Sequence, residues 1–236
     1  MSVLNYTLAD FRSETQLRLN DANGGFWANS ELNGHVNRAV LRVTMDLRIP
    51  KRDTSIPIVA GVSFYPLPTD FLIPEYIYGA AALGNRRIYP TNFAALDKMS
   101  AGRAAWEKER TATPTHFVPF SSYFFVLRPG PDTTSNVTLH YTPFPTTLSS
   151  DSDTTSLNLS GQRLVPVFAS YLAQMKNDPQ KATQHLSEYK ARLAPAQSQL
   201  RHDSQYRPQV MAPGRAFDRQ QANPEVKNPY SKWGLR

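Results

Sequence analysis

The sequence predicts an α+β fold: a helical bundle built from the N- and C-terminal helices, with an inserted β-rich module and an extended C-terminal arm. Three observations predict it. Amphipathic helical patterns fill residues 1–49 and return in residues 161–204. Between them, residues 50–160 hold short β-branched and aromatic runs divided by prolines, followed by a loop of Ser, Thr and Asp. In residues 205–236 the periodicity is lost, which favours an extended basic arm without a core of its own.

The first helix is predicted to begin directly after Thr7, its N-terminal capping residue. Thr7 and Asp10 form a variant of the capping box, with Asp in place of Glu. Four residues then recur at helical spacing on one face: Leu8, Phe11, Thr15 and Leu19. The second helix is expected to be capped by Ser30 and ended by Pro50. Its apolar stripe is the clearest periodic signal in the chain: Leu32, Val36, Ala39, Val40, Val43 and Leu47.

The inserted module contains a predicted hairpin, in which Gly84-Asn85 forms the turn between residues 76–83 and 86–89. Residues 91–99 predict a short helix with Phe93 and Leu96 turned inward.

Three further runs predict a meander, in which each strand pairs with the next: residues 116–120, 123–128 and 136–141. The middle run, from Tyr123 to Leu127, is apolar without alternation, so both of its faces are expected to be covered. A subunit contact or a position inside the sheet would each provide that cover. Residues 146–156 are almost all Ser, Thr or Asp and are expected to form a solvated loop.

Two more helices are predicted near the C-terminus. The third spans residues 164–175, with Pro166 near its start and an apolar stripe formed by Val167, Phe168, Tyr171, Leu172 and Met175. Asp178 is expected to cap the fourth helix, with Pro179 as its first residue. The stripe of the fourth helix comprises Ala182, Leu186, Tyr189, Leu193 and Leu200, and Pro195 is expected to kink or end it.

Motifs of catalysis and metal binding are absent from the sequence: it has no phosphate-binding glycine loop, no zinc-protease motif and no serine-nucleophile motif. Two pairs of close carboxylates, Asp151 with Asp153 and Glu107 with Glu109, lie in polar surroundings that favour a solvated face. A calcium loop beginning at Asp151 would lack its glycine and its last glutamate. Five histidines stand apart from one another, at positions 35, 116, 140, 185 and 202. We expect no enzyme, no cofactor and no metal.

Composition limits the location and the partners. Cysteine is absent, which excludes disulfides and favours assembly in a reducing cytoplasm. No signal peptide is visible at the N-terminus, and the densest apolar stretch is far shorter than the roughly 20 residues that cross a bilayer, so no membrane contact is expected.

The net charge of +7 is concentrated at the C-terminus, where residues 205–236 hold six basic and two acidic side chains. The basic pairs Lys51-Arg52 and Arg86-Arg87 have neutral or acidic neighbours, and no basic stripe with interleaved aromatics precedes the arm. Sequence-specific DNA reading is therefore not expected, whereas weak contact with passing DNA stays open.

Several segments of the sequence occur in a characteristic order. They are Phe11 and Leu19 of the opening helix, Phe26-Trp27, the helix from Glu31-Leu32 to Ala39-Val40, Tyr65-Pro66-Leu67-Pro68-Thr69-Asp70-Phe71-Leu72, Leu139-His140-Tyr141, Tyr171-Leu172 and Tyr189. This order resembles a known family, the head-to-tail adaptors (tail tubular or connector proteins) of tailed bacteriophages. The resemblance covers roughly residues 7–200.

The resemblance implies a structural protein of the virion, assembled in the host cytoplasm and located at the head–tail junction. Such adaptors typically form a twelve-membered ring of identical subunits between the portal protein and the tail nozzle or tail fibre proteins, and DNA passes through the ring. Alternatives are another virion component for tail completion or fibre attachment, a nucleic-acid-binding module, and, as a third class, an enzyme.

On this resemblance, the arm is expected to bind the portal. Its basic residues would suit an acidic groove, and its spaced aromatic residues are typical anchors for pockets on a partner. The predicted portal-binding residues are Tyr206, Arg207, Arg215, Phe217, Arg219, Lys227, Tyr230, Lys232, Trp233 and Arg236.

Overall fold

A computed structural model describes most of the chain: residues 5–80, 86–99, 110–111, 114–120 and 123–205. The chain divides into two compact units, residues 1–200 and residues 201–236. Of the second unit, only the end of a helix at residues 201–205 is described.

Six α-helices occur in the described residues: α1 (Leu8–Arg18), α2 (Asn29–Leu47), α3 (Phe93–Met99), α4 (Leu159–Gln162), α5 (Val165–Asn177) and α6 (Pro179–Gln205). Helices from the two ends of the sequence share one core. Its buried members include Phe11 from α1, Val36 and Val43 from α2, Val167 from α5 and Tyr189 from α6. The predicted apolar stripes therefore face one another, because each stripe needs a partner to leave water.

The helix ends follow the local signals with one exception. The Thr7 side chain accepts a hydrogen bond from the Asp10 backbone, and Asp10 accepts one from the Thr7 backbone, so the predicted capping box is confirmed. The Asp178 side chain accepts from the backbone of Lys181, as predicted for the cap of α6. The prediction for Ser30 is wrong: α2 begins at Asn29, and the residue before it, Ala28, offers no side-chain cap.

For the C-terminal helices, one prediction is wrong in part and another is wrong. Pro195 does not end the last helix, whereas the predicted kink stays a prediction. Helix α6 continues through Pro195 to Gln205. Pro195 is exposed, and the next residues, Ala196 and Leu200, still pack on the bundle core, so burial holds the helix together beyond the missing hydrogen bond. Met175 lies on the solvent side of α5, 53% exposed, although its spacing placed it on the stripe.

Nine strands are described: β1 (Arg52–Ile58), β2 (Phe64–Pro66), β3 (Phe71–Gly79), β4 (Arg87–Pro90), β5 (Arg110–Thr111), β6 (His116–Phe120), β7 (Phe124–Arg128), β8 (Gly130–Pro131) and β9 (Ser135–Pro143). Seven form one sheet, in the order β1-β9-β3-β4-β6-β7-β2. The strands β5 and β8 form a separate parallel pair. The predicted pairing of the strand before Gly84-Asn85 with the strand after it is present as β3 and β4, but the turn itself lies outside the described residues.

The predicted three-strand meander is wrong. Strands β6 and β7 do pair, but β9 lies between β1 and β3, away from β7. The neighbour of β7 on its other side is β2, through the pairs Phe64 with Val126 and Pro66 with Phe124. The pairing of strands that are distant in the sequence leaves no pattern in neighbouring residues. The alternation of apolar residues could therefore identify the strands but not their order in the sheet.

One face of the sheet, the inner face, encloses a second core. Its buried residues include Tyr65, Phe117, Phe125, Leu139 and Tyr141. The opposite face, the outer face, is partly covered by the predicted short helix, which is present as α3. Leu96 of α3 is buried against Val118 of β6, and Phe93 packs beside them half-buried, as expected.

The loop that the sequence predicts to be solvated is anchored to the bundle. The backbone N–H groups of Leu8 and Ala9 donate to the carbonyls of Asp153 and Asp151, at 2.9 and 3.2 Å. Arg12 binds both carboxylate oxygens of Asp151, at 2.9 and 3.0 Å. The loop thus provides hydrogen-bond partners for the first turn of α1, whose N–H groups have none within the helix.

Asn37 of α2 fixes the start of the same loop. Its side-chain amide donates to the carbonyl of Leu148 at 3.0 Å and accepts from the N–H of Leu148 at 2.8 Å. We expect Asn37→Ala to lower the free energy of unfolding by about 1–3 kcal/mol, because two partly buried backbone groups lose their partner.

Chemical denaturation of Asn37→Ala, with Ser30→Ala at an exposed position of the same helix as the control, measures this cost. Equal stability of the wild type and Asn37→Ala would contradict the assigned role of Asn37.

The α+β class and the joint core of N- and C-terminal helices agree with the prediction. The domain boundaries stay a prediction, and residues 206–236 of the predicted arm lie outside the described residues.

Candidate interaction surface

The predicted portal-binding residues are all outside the part of the chain that the structure describes. They are Tyr206, Arg207, Arg215, Phe217, Arg219, Lys227, Tyr230, Lys232, Trp233 and Arg236. The carboxylates Glu107 and Glu109 and the side chain of His202 are likewise outside it. The described residues that can contact a partner therefore belong to the bundle and to the sheet.

Several of the Asp and His side chains named in the sequence analysis make contacts with nearby residues. The Asp153 carboxylate accepts backbone N–H groups of Ser149 and Ser150, which together hold the pKa of Asp153 below its ordinary value. The hydrogen bond from Arg12 lowers the pKa of Asp151. Partial burial beside Trp27 lowers the pKa of His35. Among the described residues, no group of three or more His, Asp or Glu side chains could hold a metal ion.

The Tyr-x-Leu-Pro-x-Asp-Phe segment joins β2 to β3 and has a structural role. The hydroxyl of Tyr65 donates to the carbonyl of Val62 at 2.7 Å, and burial raises the pKa of Tyr65. Asp70 accepts a hydrogen bond from the Tyr141 hydroxyl at 2.8 Å and forms an ion pair with Arg52. These contacts tie the segment to β9 and β1, because Tyr141 and Arg52 are cross-strand partners there.

On the outer face, β9, β3 and β4 carry a stack of rings and charges. The imidazole of His140 stacks on the ring of Tyr76 at 4.3 Å between centroids, and the guanidinium of Arg87 lies 4.7 Å from the same ring. A ring nitrogen of His140 lies 2.5 Å from a carboxylate oxygen of Asp53 on β1. The Tyr76 ring is therefore already packed by two side chains within the sheet, which leaves this stack little surface for a ligand.

Farther along the outer face, three phenylalanines form what we call the aromatic patch: Phe64 of β2, Phe120 of β6 and Phe124 of β7. They are 55%, 49% and 45% exposed. Phe120 is the cross-strand partner of Phe124, and its ring lies edge-on to Phe64 at 6.4 Å. Phe125 alternates with Phe124 and points to the inner core. The patch is thus one contiguous apolar surface, which marks an interaction site more often than scattered exposed residues do.

The aromatic patch corrects one prediction. The run from Tyr123 to Leu127 was expected to be covered on both faces. Phe125, Val126 and Leu127 are buried, but Tyr123 is 72% exposed and Phe124 is 45% exposed. The sequence shows that this run is unusually apolar, but only the sheet order shows which end of it leaves the core.

A second apolar surface lies on the bundle side and is called the apolar groove below. It is a groove of about 270 Å³ between α2 and the segment that follows β9, and its apolar lining is formed by Val40, Leu41, Phe144 and Pro145. Arg38 also lines the groove. Phe144 is 49% exposed although its backbone N–H is bound to the carbonyl of Asp70 at 2.7 Å. Helical spacing could not reveal this groove, since its walls come from distant segments.

The aromatic patch and the apolar groove are the two candidate interaction surfaces in the described residues. The aromatic patch presents aromatic side chains, and the apolar groove presents aromatic and aliphatic side chains together with Arg38. Within the described ranges, none of the helices combines the length and the apolar character that a membrane span requires.

Comparison with known proteins identifies the family. The family model described as "SU10 adaptor protein" matches residues 6–215, which include the whole bundle, the whole sheet and the first part of the predicted arm. No curated protein matches the sequence closely enough to count as a relative. The match spans most of the chain and agrees with the resemblance carried by the helices and by the Tyr-x-Leu-Pro-x-Asp-Phe segment. The chain therefore belongs to the SU10 adaptor proteins, a family of phage head–tail adaptors, which are structural components of the virion.

Proposed function

We propose that the protein forms a ring of twelve identical subunits between the portal and the tail of a phage. In this position it joins the portal protein above to tail nozzle or tail fibre proteins below, and DNA passes through its centre during ejection. The observation that carries the proposal is the family match over residues 6–215.

The proposed mechanism is passive. Residues 1–204 carry 20 basic and 17 acidic side chains, a balance that suits a channel through which DNA slides without being held. The apolar patch and groove suit contacts between proteins, and we propose that no chemical step is catalysed. Turnover of a nucleotide or glycan that a point variant abolishes, or tight sequence-dependent DNA binding at physiological salt, would contradict this mechanism.

We further propose that the arm, residues 205–236, binds the portal. The arm holds six basic and only two acidic side chains, and this positive charge favours an acidic surface on the partner. Tyr206, Phe217, Tyr230 and Trp233 are spaced as anchors for separate pockets.

Truncation after Gln205, the last residue of α6, tests the arm. We expect the truncated protein to keep its circular dichroism spectrum and unfolding midpoint, because the bundle core ends with Leu200. We expect it to lose binding to purified portal rings, as measured by co-sedimentation. The double variant Trp233→Ala and Tyr230→Ala should weaken binding by about tenfold or more, since two anchor rings are removed.

The matched control is a second double variant in the arm, Gln221→Ala and Ser231→Ala, which removes polar side chains. If the truncated protein binds portal rings as well as the full chain does, the arm hypothesis is wrong. If the full chain itself does not bind portal rings, the adaptor function proposed above is wrong.

A further inference from the structure

We infer that the aromatic patch of one subunit inserts into the apolar groove of a second copy, and that this is the contact that closes the ring. The inference rests on the proposed function, because it specifies which surfaces join the subunits. Both surfaces lie in the part of the chain that the structure describes, and they share no residue.

The aromatic patch has the character of an insertion surface. Phe64, Phe120 and Phe124 are each about half exposed, and the prolines next to them in the chain, Pro66 and Pro119, carry no charge. The rings are held in place, since Phe120 packs edge-on against Phe93 of α3 at 5.9 Å. Rigid exposed aromatic side chains lose little conformational entropy on binding, so they make effective anchors.

The strand next to the patch is unsuited to binding by strand addition. Tyr65 is the residue of β2 whose backbone faces β7, because Ser63 and Leu67 on either side bond across to Leu127 and Tyr123. Phe64 and Pro66 therefore face the free edge, where Pro66 has no N–H to donate. Side chains, rather than backbone hydrogen bonds, must carry the affinity of this surface.

The apolar groove is formed before any partner arrives. One wall is α2, and the other is held to α2 by the two hydrogen bonds between Asn37 and Leu148. The second wall is also held to the sheet by the bond from the Phe144 N–H to Asp70. Fixed walls reduce the cost of ordering the site on binding.

The two surfaces match in size and chemistry. The groove, at about 270 Å³, is smaller than the roughly 300–1,000 Å³ of sites for drug-sized ligands and suits one or two aromatic rings. Arg38, which also lines the groove, is exposed and forms no ion pair with any described residue, so its guanidinium can lie over an incoming ring.

Two different surfaces that join head to tail generate a closed ring or an open filament, whereas a patch that meets itself stops at a dimer. The patch and the groove are both open in the single chain, so neither fills the other within one subunit. A head-to-tail contact between copies is therefore the geometry that satisfies both surfaces.

Two variants of the full-length protein disrupt the aromatic patch and the apolar groove separately. The patch variant is Phe120→Ser with Phe124→Ser, and the groove variant is Phe144→Ser with Arg38→Glu. We expect each to raise the dissociation constant between subunits by at least about 30-fold, or ~2 kcal/mol, so neither forms rings in light scattering or native mass spectrometry. The matched control is Leu17→Ser with Phe26→Ser. These two side chains lie outside the patch and the groove and are 62% and 71% exposed, so the control should leave ring formation unchanged.

Mixing the two variants gives the sharper result. A groove-variant subunit still offers its patch, and a patch-variant subunit still offers its groove, so a 1:1 mixture should form heterodimers and nothing larger. Heterodimer formation also shows that both variants are folded.

The absence of cysteine allows an independent test in otherwise wild-type protein. Pro66→Cys places a thiol beside Phe124, and Thr147→Cys places one at the groove. Under oxidation, a mixture of the two single-cysteine chains should form disulfide-linked dimers, while neither should do so alone. A chain with both substitutions should form a ladder of covalent oligomers.

The outcomes separate the inference from the function on which it rests. If the wild type forms rings and the patch and groove variants form them equally well, the inference is overturned, but the proposed ring is not. Formation of disulfide dimers by Pro66→Cys alone would have the same meaning. If the wild type forms no ring, either alone or with portal rings, the proposed function fails.

Discussion

Phe125→Ala should lower the free energy of unfolding by about 3–5 kcal/mol, the usual cost of deleting a large buried aromatic ring. Phe125 is 0% exposed at the centre of the inner core. Its ring packs against Tyr65 at 5.5 Å and against Phe117 at 6.1 Å, so one substitution loosens three strands, β2, β6 and β7. Thermal unfolding followed by circular dichroism should show a midpoint about 10 °C lower.

The adjacent residue provides the matched control. Phe124→Ala removes the same side chain from the same strand but from the outer face, where the ring is 45% exposed. It should cost less than about 1 kcal/mol, as most surface substitutions do. Similar costs for the two variants would mean that the two residues do not face opposite sides of β7 as described.

The second large effect is a loss of stability at alkaline pH that depends on Tyr189. The Tyr189 side chain is buried between helices, and its hydroxyl donates to the carboxylate of Asp46 at 2.7 Å. Burial, and then the hydrogen bond to Asp46 and the negative charge of its carboxylate, raise the pKa of Tyr189 above its ordinary value of 10.0. The folded protein therefore keeps a proton that the unfolded chain releases above about pH 10.

The sign of the effect follows from proton linkage. A raised pKa in the folded state contributes stability that is present below the unfolded pKa and is lost as the pH rises. For Tyr189 the loss should be about 1.4 kcal/mol per pH unit above pH 10. Tyr65 and Tyr141, whose pKa values burial also raises, should add to it.

Tyr189→Phe isolates this contribution, because it keeps the ring and removes the hydroxyl. At neutral pH the variant should be less stable by about 1.5–3 kcal/mol, since a hydrogen bond to a charged carboxylate is lost. Between about pH 9.5 and 11, however, its free energy of unfolding should fall less steeply than that of the wild type. Urea denaturation at several pH values measures both quantities, and parallel curves would contradict the assigned cause.

For the bundle, much could be predicted from the sequence. The stripe of α2, the Thr7–Asp10 capping box and the Asp178-Pro179 start of α6 are signals contained in a few neighbouring residues. Local signals fail where a distant contact outweighs them. Pro195 lacks an N–H, yet the packing of Ala196 and Leu200 on the core keeps α6 helical beyond it.

For the candidate surfaces, less could be predicted. Phe124 and Phe125 are identical residues in one apolar run, and only the pairing of β7 with β2 and β6 places one in the core and the other in water. The groove depends on a hydrogen-bonded contact between Asn37 and Leu148, which are 111 positions apart. No local pattern records such a contact.

The sequence by itself determined the α+β class, the four long amphipathic helices, most of the strands and the balance of charge, because each depends on residue types within one helical turn or one strand. Tertiary structure alone decided that β9 lies between β1 and β3, and that the Ser/Thr/Asp loop anchors α1. It also decided which exposed rings form one patch. The physical reason is that strand order and surface contiguity arise from contacts between segments far apart in the chain, where burial and hydrogen-bond satisfaction outweigh local propensity.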